Sequence, residues 1–544
     1  MFGVEPRVSH FINIFVFMLN CCLVYALAFK NFGDKAPPEK CVRSVVAMML
    51  YGFHPALMES TAWVVGRFDL FVTFFSLLGL LFSSVLVGWV RVAAVSVAFA
   101  GAAFSKEMAV VFPLLLVLWL WLSDTPCWTK KSIQEWVLKY ADCFISVFVV
   151  GLVYLWFRHL AQPDIFVSDV SVYEGKPWLD RFAYMGLSVA FYLKMMVFPF
   201  SDLSPIHPFD LVKINNLQRA LGLATLFGVL FLFLFSCWLN KKVIWLLVLI
   251  FVALLPVMNI LPLVIGGNIG HERFLALPLA FTALCAASLN FGKMTISNSM
   301  RKAFPAFAAC GIAVWVVLSV ANIRITLPLW KNEVMLWGWA YEKNPDFEFV
   351  RFNYVAALVF TWRNDMAEKS LDEIEKRDGE LSYRLTALKG QLMNQRGEYK
   401  KAISYLKAAL VGLKKPHEEV LERGIDISKA VVIRDNFSEA QFLRFSYGSL
   451  VEAYIGLSDY RKADEMASIM MFYQERYGPS YMAKAFASYG LGDKAKGDEY
   501  SRQADLIFPD KARKDVAAIR EAFFKKLCSS KKASSEVCDA YHTQ

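Results

Sequence analysis

Up to about residue 325 the chain is a succession of apolar runs divided by short polar segments. From about 330 the pattern changes to charged, amphipathic helix. The apolar runs cover 11–29, 43–53, 70–90, 92–105, 108–123, 143–158, 184–199, 217–239, 243–262, 272–290 and 303–323. A full helical crossing takes about 20 apolar residues. Several runs are shorter, which predicts broken spans or spans partly buried among neighbours. The expected fold class is all-α. A polytopic helical membrane domain occupies 1–325 and a connecting segment 326–345. A helical repeat region occupies 346–510, and a C-terminal helix and tail 511–544.

The repeat is visible in the residues. Ala453, Gly456 and Asp459 recur as Ala487, Gly490 and Asp493 at a period of 34. A third unit covers 388–399 and continues through Ala402, Ile403 and Ala408. A fainter fourth runs from Phe349 through Asp365 to Leu371. That period, with small residues where paired helices cross, is the tetratricopeptide signature. Each such repeat buries its apolar face only against its neighbours, leaving a concave surface for a peptide or extended chain.

Composition agrees with this division. Of 544 residues, 57% are hydrophobic and only 19% charged, against about 25% charged in ordinary soluble domains. That excludes a single soluble globular domain and a disordered chain. The net charge of +10 does not call for nucleic acid, because much of it sits in short loops between apolar runs. Lys30, Lys35, Lys40 and Arg43 form one basic loop, and Lys130, Lys131 and Lys139 a second. Lys241 with Lys242, and Lys293 with Arg301 and Lys302, form two more. The positive-inside rule places all four in the cytoplasm. A consistent path then requires 184–199, which holds Lys194 and runs into the stretch Pro199 to Pro208, to be re-entrant or interfacial. The repeat region is expected on the non-cytoplasmic side, and the whole chain in a bacterial inner membrane with its repeats periplasmic. Residues 1–10 carry Glu5 and Arg7 and lack the basic region of a cleavable signal peptide. The ten cysteines form no CxxC pair and no metal spacing, while Cys528 and Cys538 suit a disulfide in an oxidising compartment.

On this path Glu59, Arg67, Asp69, Lys106, Glu107, Arg158, His271, Glu272 and Arg273 fall on one side of the membrane. Ionisable groups at span ends are costly and are functional candidates by default; the plainer reading is that they snorkel to the headgroups. His54-Pro55, then Glu59, Trp63 and Gly66-Arg67-Phe68-Asp69 at the start of the next span, is an odd way to build a plain loop. Trp63, Trp156 and Trp178 at span ends fit an interfacial aromatic belt.

The stretches FHPALMESTAWVVGRFDLFVTFF, AFSKEMAVVFPLLL, VFPFSDLSPIHPFDLVK, LLPVMNILPLVIGGNIGHERFLALP and LWKNEVMLWGWAYEKNPDFEFVRFNYVAAL resemble, in order and over nearly the whole chain, the transmembrane and tetratricopeptide repeat-containing O-mannosyltransferases and their bacterial relatives, of the GT-C superfamily. The resemblance implies a glycosyltransferase moving a sugar from a polyprenyl-phosphate carrier to a protein or cell-surface glycan acceptor on the non-cytoplasmic face, with the acceptor at the repeat domain. Two departures stand out. The chain opens on FGVEPRVSHFINIF, which looks like the family's second span, so the first span and its acidic loop are expected to be missing. The ER.L.LP motif has Ala276 where the family usually carries tyrosine.

Such chemistry needs a carboxylate to take the acceptor's proton and cations for the charge that develops on the leaving phosphate. It also needs a groove for the isoprenoid. Asp69 is the leading candidate for the base, with Glu59 as the second carboxylate. Arg67, Lys106, His271 and Arg273 are expected to bind donor phosphate, arginine by its bidentate fork. Glu107 and Glu272 are expected to orient those cations. No metal site is assigned: a divalent metal is compatible with the glutamates but not indicated, because no dense aspartate pair is present. His271-Glu272 is no zinc motif, since no second histidine follows at the required spacing. Asp69 and Arg67 pairing with each other is the plain structural alternative. Two further functions stay open, a catalytically inactive membrane-anchored scaffold for periplasmic or lumenal partners and, least fitting, a transporter, for which no duplicated half is detectable.

Overall fold

The computed structural model describes residues 6–33, 35–161, 177–209, 214–239, 241–260, 268–289, 298–412, 437–473, 477–509, 512–529 and 537–538. Most of the long loop 159–183, Gly266, Gly267 and Lys293, and the side chains of Lys241, Arg301 and Lys302, lie outside the described residues. The chain divides into two compact units, Met1–Phe347 and Glu348–Gln544. Among the described residues both are helical, with one isolated antiparallel bridge between Pro208 and Asn268.

The first unit contains α1 (Pro6–Asn31), α2 (Pro37–Gly52), α3 (Met58–Ala62), α4 (Arg67–Val85), α5 (Gly88–Ser105), α6 (Phe112–Asp124) and α7 (Lys130–Ala161). It continues with α8 (Trp178–Val197), α9 (Asn216–Leu239), α10 (Lys241–Leu254), α11 (Ala276–Ser288), α12 (Asn298–Thr326) and α13 (Glu333–Lys343). Among the described residues seven helices are long and apolar enough to cross a membrane, eight if the bent pair Pro37–Gly52 and Pro55–Ala62 is one span. That pair bends by 54° at Pro55, which lacks an N–H and disfavours helix at the residue before it. The run 108–123 starts as a tight turn, Glu107–Val111, before α6. The run 143–158 is the apolar part of the longer α7, whose first turns carry Lys130, Lys131 and Lys139. Leu27, Leu77, Leu80, Phe112, Trp119 and Phe281 are fully or almost fully buried at the centre of the unit. Phe227 and Phe231 of α9, and Phe307 and Val317 of α12, are exposed, as befits helices facing acyl chains.

Hydrogen bonds define two opposite rims. At one, Arg43 donates to Ala287 O (2.6 Å) and Leu289 O (3.2 Å), and Lys242 donates to Asn31 O (3.4 Å). At the other lie His54, Glu59, Lys106, Asn259 and His271. Helix α8 runs along this second rim. Asp180 in its first turn pairs with Arg219 (2.6 Å), Ser188 accepts from Asn259 (2.8 Å), and Met196 O meets His54 Nε2 (3.1 Å) near its end. Its approach to α9 depends on two glycines: a Cβ on Gly186 would stand 1.9 Å from Gly222 O. The end of α12 returns to the same rim, where Asn322 donates to Phe200 O (3.2 Å) and Thr326 to Met58 Sδ (3.2 Å).

The second unit is built of helical hairpins: α14 (Glu348–Phe360) with α15 (Asn364–Asp378), α16 (Tyr383–Gln395) with α17 (Tyr399–Val411), α18 (Phe437–Gly456) with α19 (Tyr460–Tyr473), and α20 (Gly478–Gly490) with α21 (Lys494–Ile507). A last helix, α22 (Arg513–Ser529), follows. The four inner turns repeat one device. Trp362, Gly397, Ser458 and Gly492 have positive φ of 59°, 76°, 61° and 85°. The next residue donates its N–H five residues back: Arg363 to Leu358 O, Glu398 to Met393 O, Asp459 to Tyr454 O and Asp493 to Ser488 O, all at 2.9–3.0 Å. This is the left-handed cap that closes a helix and satisfies its last carbonyls. Cys528 and Cys538 form a disulfide that ties Val537, buried against Phe523 and Phe524, to the end of α22.

Candidate functional site

The second rim gathers most of the charged residues singled out from the sequence. Glu59 sits in the short α3 and Asp69 in the first turn of α4. Lys106 lies at the break between α5 and the Glu107–Val111 turn, and His271, Glu272 and Arg273 in a turn over Glu272–Leu275 that opens α11. Gly66 lets these turns meet: a Cβ there would stand 2.5 Å from Ser60 O.

Arg273 is the hub. Its Nη1 lies 2.5 Å from Glu59 Oε1, its backbone N–H donates to Glu59 Oε2 at 2.9 Å, and Ser60 Oγ donates to its carbonyl at 3.3 Å. Its Nε lies 3.9 Å from Asp69 Oδ2. The guanidinium stacks between Trp63 (4.7 Å) and Phe274 (4.9 Å), a planar arrangement that lysine would not reproduce. Lys106 Nζ lies 2.5 Å from Asp69 Oδ1 and 4.7 Å from the Phe274 ring. His271 Nδ1 stands 3.5 Å from Glu59 Oε1, and neither ring nitrogen has an aligned hydrogen bond among the described residues. Glu59, Asp69 and His271 are 4%, 2% and 5% exposed. At that depth each charge survives only with its partner, because removing one strands the other in a low dielectric.

Three residues stand apart. The Arg67–Asp69 pair does not form, because Asp69 faces Lys106. Arg67 turns back to Val64 O (3.0 Å), and one terminal nitrogen of its guanidinium is buried without a hydrogen bond among the described residues. Glu107 pairs with Arg158 (3.1 Å) at an exposed position. Glu272 does not orient the cations directly; it faces Ser204 and His207. The sequence marked that loop, as the stretch Pro199 to Pro208 within VFPFSDLSPIHPFDLVK, but no site residue was expected in it. Sequence reasoning also gave Trp63 to the aromatic belt, whereas the ring covers Arg273. Asn13 of α1 fixes that position by donating to Trp63 O (2.9 Å) and Thr61 O (3.3 Å); no charge pattern marked it.

Beside the rim, an apolar cavity of about 320 Å³ lies between α2, α8, α11 and α12, with His54, Met196, Leu279, Thr282, Leu289 and Trp315 in its wall. It follows α11 from Leu279 to Leu289, about 15 Å of helix rise. Among the described residues no three His, Cys, Asp or Glu side chains converge as a metal site; the carboxylates of the cluster face cations or backbone donors instead. No family model, curated protein or solved structure matches the chain.

Proposed function

We propose that the protein is a membrane glycosyltransferase of the GT-C type, related to the transmembrane and tetratricopeptide repeat-containing O-mannosyltransferases, taking its sugar from a polyprenyl phosphate. The observation that carries the reading is the buried cluster of Glu59, Asp69, Lys106, His271 and Arg273 beside an apolar cavity. The donor, a sugar joined to a polyprenyl chain through a phosphodiester, has the same two parts, an anionic head and a hydrocarbon tail.

The pairing gives a sequence of events. Without substrate, Lys106 and Arg273 neutralise Asp69 and Glu59. An incoming phosphate competes for both cations, whose donors suit its oxygens. As Lys106 turns toward phosphate, Asp69 loses its partner and becomes the stronger base. It then takes the proton of the acceptor hydroxyl while that oxygen attacks the sugar's anomeric carbon and the carbon–phosphate-oxygen bond breaks. Charge building on the leaving phosphate falls on the cations already in place. Arg67, with a buried nitrogen that has no hydrogen bond among the described residues, is a further candidate for phosphate contact.

The four identical hairpin turns support a tetratricopeptide-type second unit that holds a protein or glycan acceptor. The basic residues Arg43 and Lys242 at the opposite rim support a non-cytoplasmic site, and the disulfide supports an oxidising compartment for the second unit. One observation favours a catalytically inactive scaffold instead: Lys106 occupies Asp69 Oδ1 while Arg273 stands near Oδ2, so no carboxylate of the cluster is free of a cation. Transfer of radiolabelled sugar from purified polyprenyl-phosphate donor to membranes separates the two. Transfer that depends on the protein supports the enzyme; equal incorporation with and without it, across several sugars, leaves the scaffold.

A further inference from the structure

The turn that carries Arg273 is held from a second side. Glu272 Oε1 accepts hydrogen bonds from the Ser204 N–H at 3.0 Å and from His207 Nε2 at 2.8 Å. Residues just before the turn join the same loop: the His207 N–H donates to Asn268 Oδ1 at 2.9 Å, and the Ile269 N–H donates to His207 O at 3.0 Å. Segment 201–209 is therefore a strap on the Arg273 turn. His207 is both its backbone anchor and, through its ring, the partner of the carboxylate next to Arg273.

We propose that His207 is a positioning residue for Arg273: its imidazolium locks the strap onto Glu272, and loss of that proton loosens the turn and the Arg273–Glu59 pair with it.

The charged surroundings of the ring fit this role. Glu272 of the turn touches it. Glu59 of α3 adds a second negative charge at longer range, while Lys343 of α13 opposes. Asp202, in the strap itself, is paired with Lys194 of α8. Phe191 of α8 packs edge-on at 4.7 Å and brings no charge. Burial disfavours the imidazolium, but the carboxylates outweigh it, and the His207 pKa lies above its ordinary value. The sign follows. A raised folded pKa means that the folded strap holds the proton more tightly than the unfolded chain does. Its stabilisation is complete below the ordinary histidine value of about 6.5 and fades as pH rises through the folded value. A neutral ring can still donate to Glu272, but without charge assistance the bond is roughly half as strong. The strap loosens and does not come off.

The strap stands on geometry alone; its consequence for phosphate binding rests on the transferase reading. The test is hydrogen–deuterium exchange of the full chain in lipid nanodiscs at pH 6.0 and 8.5, corrected for intrinsic rates. Wild type is expected to lose protection in 201–209 and 268–273 about three- to tenfold at the higher pH. His207→Gln, which keeps a neutral donor, and Glu272→Gln are each expected to show one intermediate protection at both pH values. Equal protection of wild type at the two pH values, or an unchanged pH response in His207→Gln, overturns the proposal. Binding of a short-chain polyprenyl phosphate at the same pH values separates the two readings. If no variant binds it while the exchange response is present, the transferase reading fails and the strap stands. If wild type and His207→Gln bind it with the same pH dependence, the coupling to Arg273 is refuted.

Discussion

Truncating Arg273 is the sharpest perturbation available at single-residue scale, because four groups lean on it. Arg273→Met leaves Glu59 charged, 4% exposed and without its strongest partner. Breaking a buried pair in this way costs about 3–5 kcal/mol. Adding Glu59→Gln is expected to recover part of that loss, since no bare carboxylate then remains. The check is thermal unfolding of the purified protein for both single variants and the double; strict additivity would show that the pair is not coupled. Asp69→Asn probes chemistry at nearly constant shape. If Asp69 is the base, transfer falls about 10²–10⁴-fold with normal membrane expression, whereas Arg273→Lys shows mainly as weaker donor binding. Undiminished transfer by Asp69→Asn moves the role to Glu59. These residues were legible in the sequence because ionisable groups stand out against apolar spans. Asn13, Trp63 and His207 were not, since an asparagine in a span, a tryptophan at its end or a histidine in a loop carries no sign of the distant carbonyl, guanidinium or carboxylate it meets.

Among elements, the hairpin turns and the α8–α9 contact make opposite demands on glycine. At the turns the backbone must enter the left-handed region, which costs an L-residue about 1–2 kcal/mol. Gly397 and Gly492 meet that demand, and Ser458, at φ 61°, does not. Ser458→Gly is therefore expected to stabilise the second unit by about 0.5–1 kcal/mol, read as slower exchange across 445–470. A loss of protection there would mean that the serine side chain contributes more than the strain costs. At Gly186 the demand is for space. Gly186→Leu drives a side chain into Gly222 O and should lower the unfolding temperature of the first unit, at an overpacking cost of about 1–3 kcal/mol. Gly228→Ala, with nothing within 4 Å of the added Cβ, should not. The period of 34 was visible only where Ala453, Gly456 and Asp459 recur as Ala487, Gly490 and Asp493; the other turns share the backbone device with different residues, Trp362 and Gly397, and left a fainter trace. The glycine contact escaped sequence reading because a close approach depends on the partner helix, which the sequence of α8 does not name.

For the molecule as a whole, the testable quantity is the side of the membrane on which each part lies. Arg43 and Lys242 are at the rim opposite Glu59 and Arg273, so by the positive-inside rule the charged site is expected outside the cytoplasm. The chain leaves α12 at the site's own rim, where Asn322 and Thr326 bond to Phe200 and Met58. The residues that follow stay there: Lys343 donates to Ser201 O (3.3 Å) and Asn344 to Ile206 O (3.3 Å). No further span separates Asn344 from Glu348, so the second unit is expected on that same, non-cytoplasmic side. Cys528 and Cys538 give an independent check, because a disulfide persists in an oxidising compartment and not in a reducing cytosol. A phosphatase fused after Gln544 should be active, and Cys528 and Cys538 should resist a thiol-reactive polymer in intact cells until a reductant is added. An inactive phosphatase, together with cysteines that stay unlabelled in intact cells even after reductant and react at once after lysis, would place the second unit in the cytoplasm. The site rim would go with it, because nothing between α12 and Glu348 crosses back, and a transferase working on exported acceptors would be lost as a reading.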